Sequence, residues 1–143
     1  METVSPYLLV IVVGWIVAQG LKYIFTVLRT RNINNFRQLY ISGNMPSAHT
    51  ATVIALTTMV ALRDGIDSGL FGVTALFAAI VMYDAVMVRR SVGEQGNALQ
   101  QLIKEQKSKV NIPRAAKGHT PAEVAVGFVL GVCVGLVVFL ATK

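Results

Sequence analysis

The sequence predicts an all-α, polytopic membrane bundle of about four transmembrane helices plus a short amphipathic helix at the interface. Three observations carry this. Charged residues make up 14% of the chain, against about 25% in an ordinary soluble domain. Mean hydropathy is +0.60. The apolar residues are gathered into four long runs, and the charges fall in the segments between them. A length of 143 residues suits one unit, since a domain typically takes about 100–200 residues, so residues 1–143 are read as a single membrane domain.

The first run, about 6–28, is interrupted by Gln19 and Lys22 and is long enough for roughly 30 Å of hydrocarbon. It has neither a basic region before it nor a small-residue cleavage site, so it reads as a membrane helix rather than a signal peptide. Lys22 lies near its end, where a lysine can snorkel to the headgroups. After a polar stretch rich in Arg and Asn, Asn44-Met45-Pro46-Ser47 reads as a helix start with proline in the first turn. The second run, about 47–62, is short and rich in Ala and Thr, as expected of a helix packed closely on its neighbours. Arg63 to Gly69 is a tight turn. The third run, about 70–88, contains Asp84. At about 94–107, Ala98, Leu99, Leu102 and Ile103 recur at helical spacing beside Lys104, Glu105 and Lys107, the pattern of an interfacial helix. The last run, about 120–142, opens on Thr120-Pro121. Its Gly127, Gly131 and Gly135 repeat every four residues on one face. Close packing inside the bundle and a homo-oligomer seam both suit that stripe. The single cysteine, Cys133, excludes an intrachain disulfide and reads as a small core hydrophobe.

Alternating short and long connections fix an up-down order, which sorts the charges. Eleven of the thirteen Lys and Arg residues fall on the side of the two long connections; only Arg63 and Lys143 fall on the other. The net charge of +6 is therefore read as a topology signal rather than a nucleic-acid signal, and the crowded side is placed in the cytoplasm. The same order brings Lys22, His49, Arg89, Arg90 and His119 to one depth on that side. Both histidines of the chain stand there at helix starts, where free N–H groups and the helix dipole favour an anion. Cations can neutralise charge that develops on phosphoryl oxygens, and histidine can serve as nucleophile or acid near neutral pH.

The stretches Met45-Pro46-Ser47-Ala48-His49 and Gly118-His119-Thr120-Pro121-Ala122-Glu123 carry a resemblance. With Tyr83-Asp84-Ala85 and Val88-Arg89-Arg90 between them, the chain resembles, over nearly its whole length, the small divergent branch of the phosphatidic acid phosphatase and vanadium haloperoxidase superfamily. The resemblance implies a phosphatase of lipid phosphates or diphosphates, active in phospholipid metabolism, working through a phosphohistidine with no metal and no cofactor. It implies that His119 attacks phosphorus, that His49 protonates the leaving oxygen, and that Glu123 orients His119 where the superfamily has aspartate. It also implies phosphate contacts from Lys22 and Ser47. The expected phosphate-binding arginine is Arg89 or Arg90, with Arg114 behind them. The sequence departs from the superfamily pattern at Ala48, which stands where glycine is usual. It also lacks the Arg-Pro pair of the first motif and the Ser-Arg pair that ordinarily precedes the second histidine.

Plainer readings stand beside these. Thr120-Pro121-Ala122-Glu123 is also a capping box, Ser47 is also a helix cap, and Arg89 and Arg90 also suit positive-inside anchors. Asp84, about a turn deeper than Arg89, reads as the partner of a neighbouring cation. A metal held by Asp84, Glu94 and Glu123 carries little weight. Two other functions fit the same residues: a non-catalytic protein that binds anionic lipid headgroups through its basic face, and a transporter subunit with Asp84 on the path. The expected partners are membrane lipids and a lipid phosphate substrate, with no nucleic acid.

Overall fold

A computed structural model describes residues 4–31, 45–108, 110–113 and 118–143. Five α-helices follow in order: α1 Pro6–Thr30, α2 Ala48–Arg63, α3 Gly69–Tyr83, α4 Arg89–Glu105 and α5 Pro121–Ala141, with a π-helical segment, Asp84–Val88, joining α3 to α4. There is no strand among the described residues, as the apolar runs predict.

The helix starts are written in the sequence. Pro6 and Pro121 occupy first-turn positions of α1 and α5, where a missing N–H costs nothing. Ser47, Ser68 and Thr120 each accept a backbone N–H from the first turn of α2, α3 and α5. Pro46 is not in the first turn of α2, as the sequence suggests; it precedes the cap residue Ser47. At the α2–α3 connection Gly65 has φ +88°, a conformation glycine adopts without a Cβ penalty.

α2 is the central helix and packs on α1, α3 and α5. It is 16 residues long, about 24 Å, and its core positions are mostly small: Ala48, Ala51, Ala55 and Thr50 are buried with Ile54, Met59 and Val60. The other spans carry their large apolar side chains outward, among them Leu8, Trp15, Leu76, Ile80, Val129 and Leu140. Small inside and large outside is how helices pack when lipid, not water, surrounds them. The Gly127–Gly131–Gly135 stripe faces α2. A Cβ on Gly131 would lie 2.6 Å from the Ala51 carbonyl oxygen, and one on Gly127 would lie 2.7 Å from that of Ser47. The stripe is therefore occupied by α2, the close packing inside the bundle that its spacing suits. Cys133, by contrast, is exposed on α5 rather than in the core.

Among the described residues three helices are long and apolar enough to cross a membrane: Pro6–Thr30, Gly69–Glu105 and Pro121–Ala141. The middle one is a single run of 37 residues, about 55 Å long if straight, so it outreaches the hydrocarbon layer. The expected third span and the amphipathic segment are thus parts of one helix. The absence of proline and glycine between Tyr83 and Val92 lets it continue.

The up-down order predicted from connection lengths is visible in contacts at each end. At one end Tyr7 Oη donates to Asp64 Oδ2 at 2.7 Å, and Arg63 Nη2 donates to the Thr142 carbonyl at 2.7 Å. At the other end the Ser47 N–H donates to the Glu123 carbonyl at 3.2 Å, and the His119 N–H to the Ala85 carbonyl at 3.1 Å.

Candidate active site

The second end holds the polar cluster. His119 precedes the cap residue of α5 and is 8% exposed. Its Nδ1 lies 3.0 Å from Glu123 Oε2. An ionised carboxylate can only accept, so Nδ1 donates to it, and in the neutral imidazole this leaves the lone pair on Nε2. The four-residue spacing makes this contact because positions i and i+4 share a helix face. The same Oε2 also accepts the Thr120 N–H at 3.1 Å, while Thr120 Oγ1 accepts the Glu123 N–H at 3.3 Å. Glu123 thus closes the capping box and meets the His119 imidazole with the same oxygen.

The backbone around His119 is fixed from behind by the π segment. Arg89 gives its N–H to the Asp84 carbonyl, five residues back, rather than to that of Ala85, which would be the α-helical partner. The Ala85 carbonyl accepts from His119 N–H. Gly118 sits on the backbone of the same segment. A Cβ there would fall 2.4 Å from Arg90 N and 2.9 Å from the Arg89 carbonyl carbon, so no larger residue fits without displacing the chain.

His49, in the first turn of α2, is exposed. Its imidazole lies in the electrostatic field of Arg89, His119, Lys22 and Asp84. Lys22 is 7% exposed and its charge is coupled to that of Glu123. It belongs to the inward stripe Val10, Gly14, Ala18, Lys22, Thr26 and so is directed into the bundle, not out to the headgroups. That period-four stripe, small at Gly14 and Ala18, is the sequence signal that tells the two orientations apart.

The candidate phosphate ligands divide. Arg89 stays with the cluster, with its Nε 2.6 Å from Asp84 Oδ2; Asp84 is thus the ion-pair partner its depth implies. Arg90 is turned to Glu94, 3.1 Å away on an exposed surface. Ser47 is fully buried, and its Oγ accepts from the Thr50 N–H and Oγ1, so its oxygen caps the helix. Arg114 lies outside the described residues. Among the described residues no group of three or more His, Cys, Asp and Glu is gathered to hold a metal ion. A cleft of about 610 Å³ runs along the end of α1 between Phe25, Leu28, Arg29 and Met45, and meets the cluster at Glu123. A second cavity, about 370 Å³ between α2, α3 and α5, is lined by residues such as Ile54, Ala61, Phe71 and Val132, with no ionisable side chain in its lining.

The family described as "Divergent PAP2 family" matches residues 4–134. The chain belongs to that divergent PAP2 family. A relative within reach of this PAP2 chain is the uncharacterized membrane protein YuiD of Bacillus subtilis (strain 168). It is 42% identical over 111 residues, which cover 67% of this chain and 70% of that protein. No solved structure matches the chain significantly. The PAP2 relationship and the apolar helices make this an integral membrane protein.

Proposed function

We propose that this protein is a membrane phosphatase that hydrolyses a lipid phosphate or diphosphate through a phosphohistidine, from the cytoplasmic side of the bilayer and without a metal. The observation that carries the reading is the part-buried His119–Glu123 pair, 3.0 Å apart, set beside His49, Lys22 and Arg89. An imidazole with its Nδ1 proton held by a carboxylate presents Nε2 as a nucleophile of fixed tautomer.

In the proposed reaction His119 Nε2 forms a bond to phosphorus as the bond from phosphorus to the leaving oxygen breaks. Protonated His49 gives its proton to that oxygen. Water then attacks the phosphohistidine, gives a proton to His49, and frees His119 as phosphate leaves. Lys22 and Arg89 offset the charge that gathers on the equatorial oxygens. A lipid substrate suits an end where ionisable groups meet bilayer depth. The cleft beside Glu123, apolar at Phe25, Leu28 and Met45 with Arg29 at its edge, suits an amphiphile. The cytoplasmic assignment rests on the lopsided distribution of Lys and Arg.

The test is phosphate release from short-chain phosphatidate and from a polyprenyl diphosphate by purified protein in detergent with a chelator present. Release is expected from the wild type and is expected to disappear in His119→Ala and His49→Ala. Wild type quenched in alkaline detergent should carry an acid-labile, base-stable phosphate that His119→Ala lacks. Unchanged release in both variants refutes the roles. Headgroup binding without release, surviving His119→Ala, would instead make the protein a lipid-binding one.

A further inference from the structure

The π turn does two things that an unbroken α-helix could not do at this place. In an α-helix, residues five apart lie about 140° from each other around the axis, so an aspartate and an arginine at that spacing point to different sides. Widening the turn to an i→i+5 pattern stacks the second residue over the first. Asp84 and Arg89 are separated by five positions and bracket the π turn, with Arg89 Nε 2.6 Å from Asp84 Oδ2. The same widening leaves the Ala85 carbonyl to accept the N–H of His119. Gly118 closes onto the turn where any side chain would collide with Arg89 and Arg90 backbone atoms. One inserted residue therefore sets a cation and fastens the loop that carries the nucleophile candidate.

We propose that Asp84 is a positioning residue for Arg89, and that the π turn couples the placement of Arg89 to that of His119. The inference rests on the phosphatase reading above. Arginine suits the role because its guanidinium has five donors in a rigid fork. With Nε–H given to Asp84, the two terminal nitrogens remain to meet oxygens of a phosphoryl group. Lysine has a single nitrogen on a flexible stem and cannot hold both partners in one plane.

Charge alone predicts the opposite outcome, which makes the proposal testable. Removing the carboxylate of Asp84 leaves the cluster more positive. If Asp84 merely balanced charge, its loss would tighten the binding of an anion. If it positions Arg89, its loss weakens binding despite the added positive charge. The experiment measures orthovanadate affinity by calorimetry, and kcat and KM for short-chain phosphatidate, on the full chain in detergent. Asp84→Ala is expected to weaken orthovanadate binding about tenfold and raise KM by a similar factor, since tenfold is the scale of one lost oriented contact. Asp84→Asn, whose amide oxygen still accepts from Nε, should fall between Asp84→Ala and wild type. Arg89→Lys should match Asp84→Ala.

Deleting Met87, an exposed residue, returns the turn to α-helical count. Because α4 packs on the π segment and on none of the other helices to a comparable extent, the bundle should persist, as circular dichroism would report. The deletion should lower kcat as well, because it also removes the His119 tether. Tighter or unchanged orthovanadate binding in Asp84→Ala, or full turnover in the deletion, overturns the proposal. If the wild type neither binds orthovanadate nor releases phosphate, the phosphatase reading has failed and the coupling falls with it.

Discussion

The two ends of the bundle solve different problems with similar residues. At the end holding the α2–α3 turn, a carboxylate meets a phenol and an arginine meets a backbone carbonyl, Tyr7 with Asp64 and Arg63 with Thr142, and neither contact is buried. These contacts tie neighbouring helix ends together and cost little, because water can replace either partner. At the other end Lys22 and His119 are buried, and the carboxylate of Glu123 meets both an imidazole and a helix N-terminus. Burying ionisable groups is costly and is repaid only where their partners are fixed. The contrast teaches that polarity alone does not mark a site here. What marks it is polarity that is buried, pre-oriented by helix starts, and carries surplus positive charge.

The comparison can be broken most directly at His119. His119→Ala should reduce phosphate release to background, whereas Asp64→Asn at the opposite end should leave the rate unchanged; equal effects would erase the distinction between the ends. Next in size is His49→Ala, for which loss of a general acid predicts a fall of about 10²–10⁴-fold in kcat with the helical spectrum intact. Glu123→Gln separates the two duties of one side chain. Its amide oxygen can still accept Thr120 N–H, so thermal stability should change little. Meanwhile kcat should drop by on the order of 10²-fold or more, as when a histidine loses the carboxylate that fixes its tautomer. Gly131→Val acts on packing instead. Added methyls facing the Ala51 carbonyl should destabilise the bundle by about 1–3 kcal/mol, seen as a lower melting temperature in detergent. The smallest effect is expected for Tyr7→Phe, about 1 kcal/mol or less of stability and no change in rate.

Much of this arrangement was legible in the sequence because bilayer physics writes in long words. Four apolar runs, alternating connections and the caps at Ser47 and Thr120 give the bundle and its up-down order. The convergence of Lys22, His49, Arg89 and His119 follows from that order alone. The division between Arg89 and Arg90 was not legible, because it depends on whether a cation turns toward Asp84 or Glu94, and both carboxylates are near in sequence. The π turn was invisible for a related reason: Ala85, Val86, Met87 and Val88 suit an α-helix as well as a wider turn, and only the contact from His119 shows which was chosen. The joining of α3 to α4 left a trace in the lack of a breaker before Gly93, which the change from apolar to polar composition conceals. Ser47 illustrates the limit of motif position. Its place in the sequence fits both a phosphate contact and a cap, and the structure shows the cap, with its oxygen accepting from Thr50.

The glycine stripe has a consequence beyond close packing. Gly127, Gly131 and Gly135 seat α5 against Ser47, Ala51 and Ala55 carbonyls and the Ile54 and Thr58 side chains, like teeth on a rack with a four-residue pitch. His49 stands at the head of α2 and His119 at the head of α5, so their separation along the membrane normal is set by this engagement rather than by the loops. A bilayer that thins or thickens would tilt the two helices as one body and leave the distance between the two imidazoles nearly unchanged.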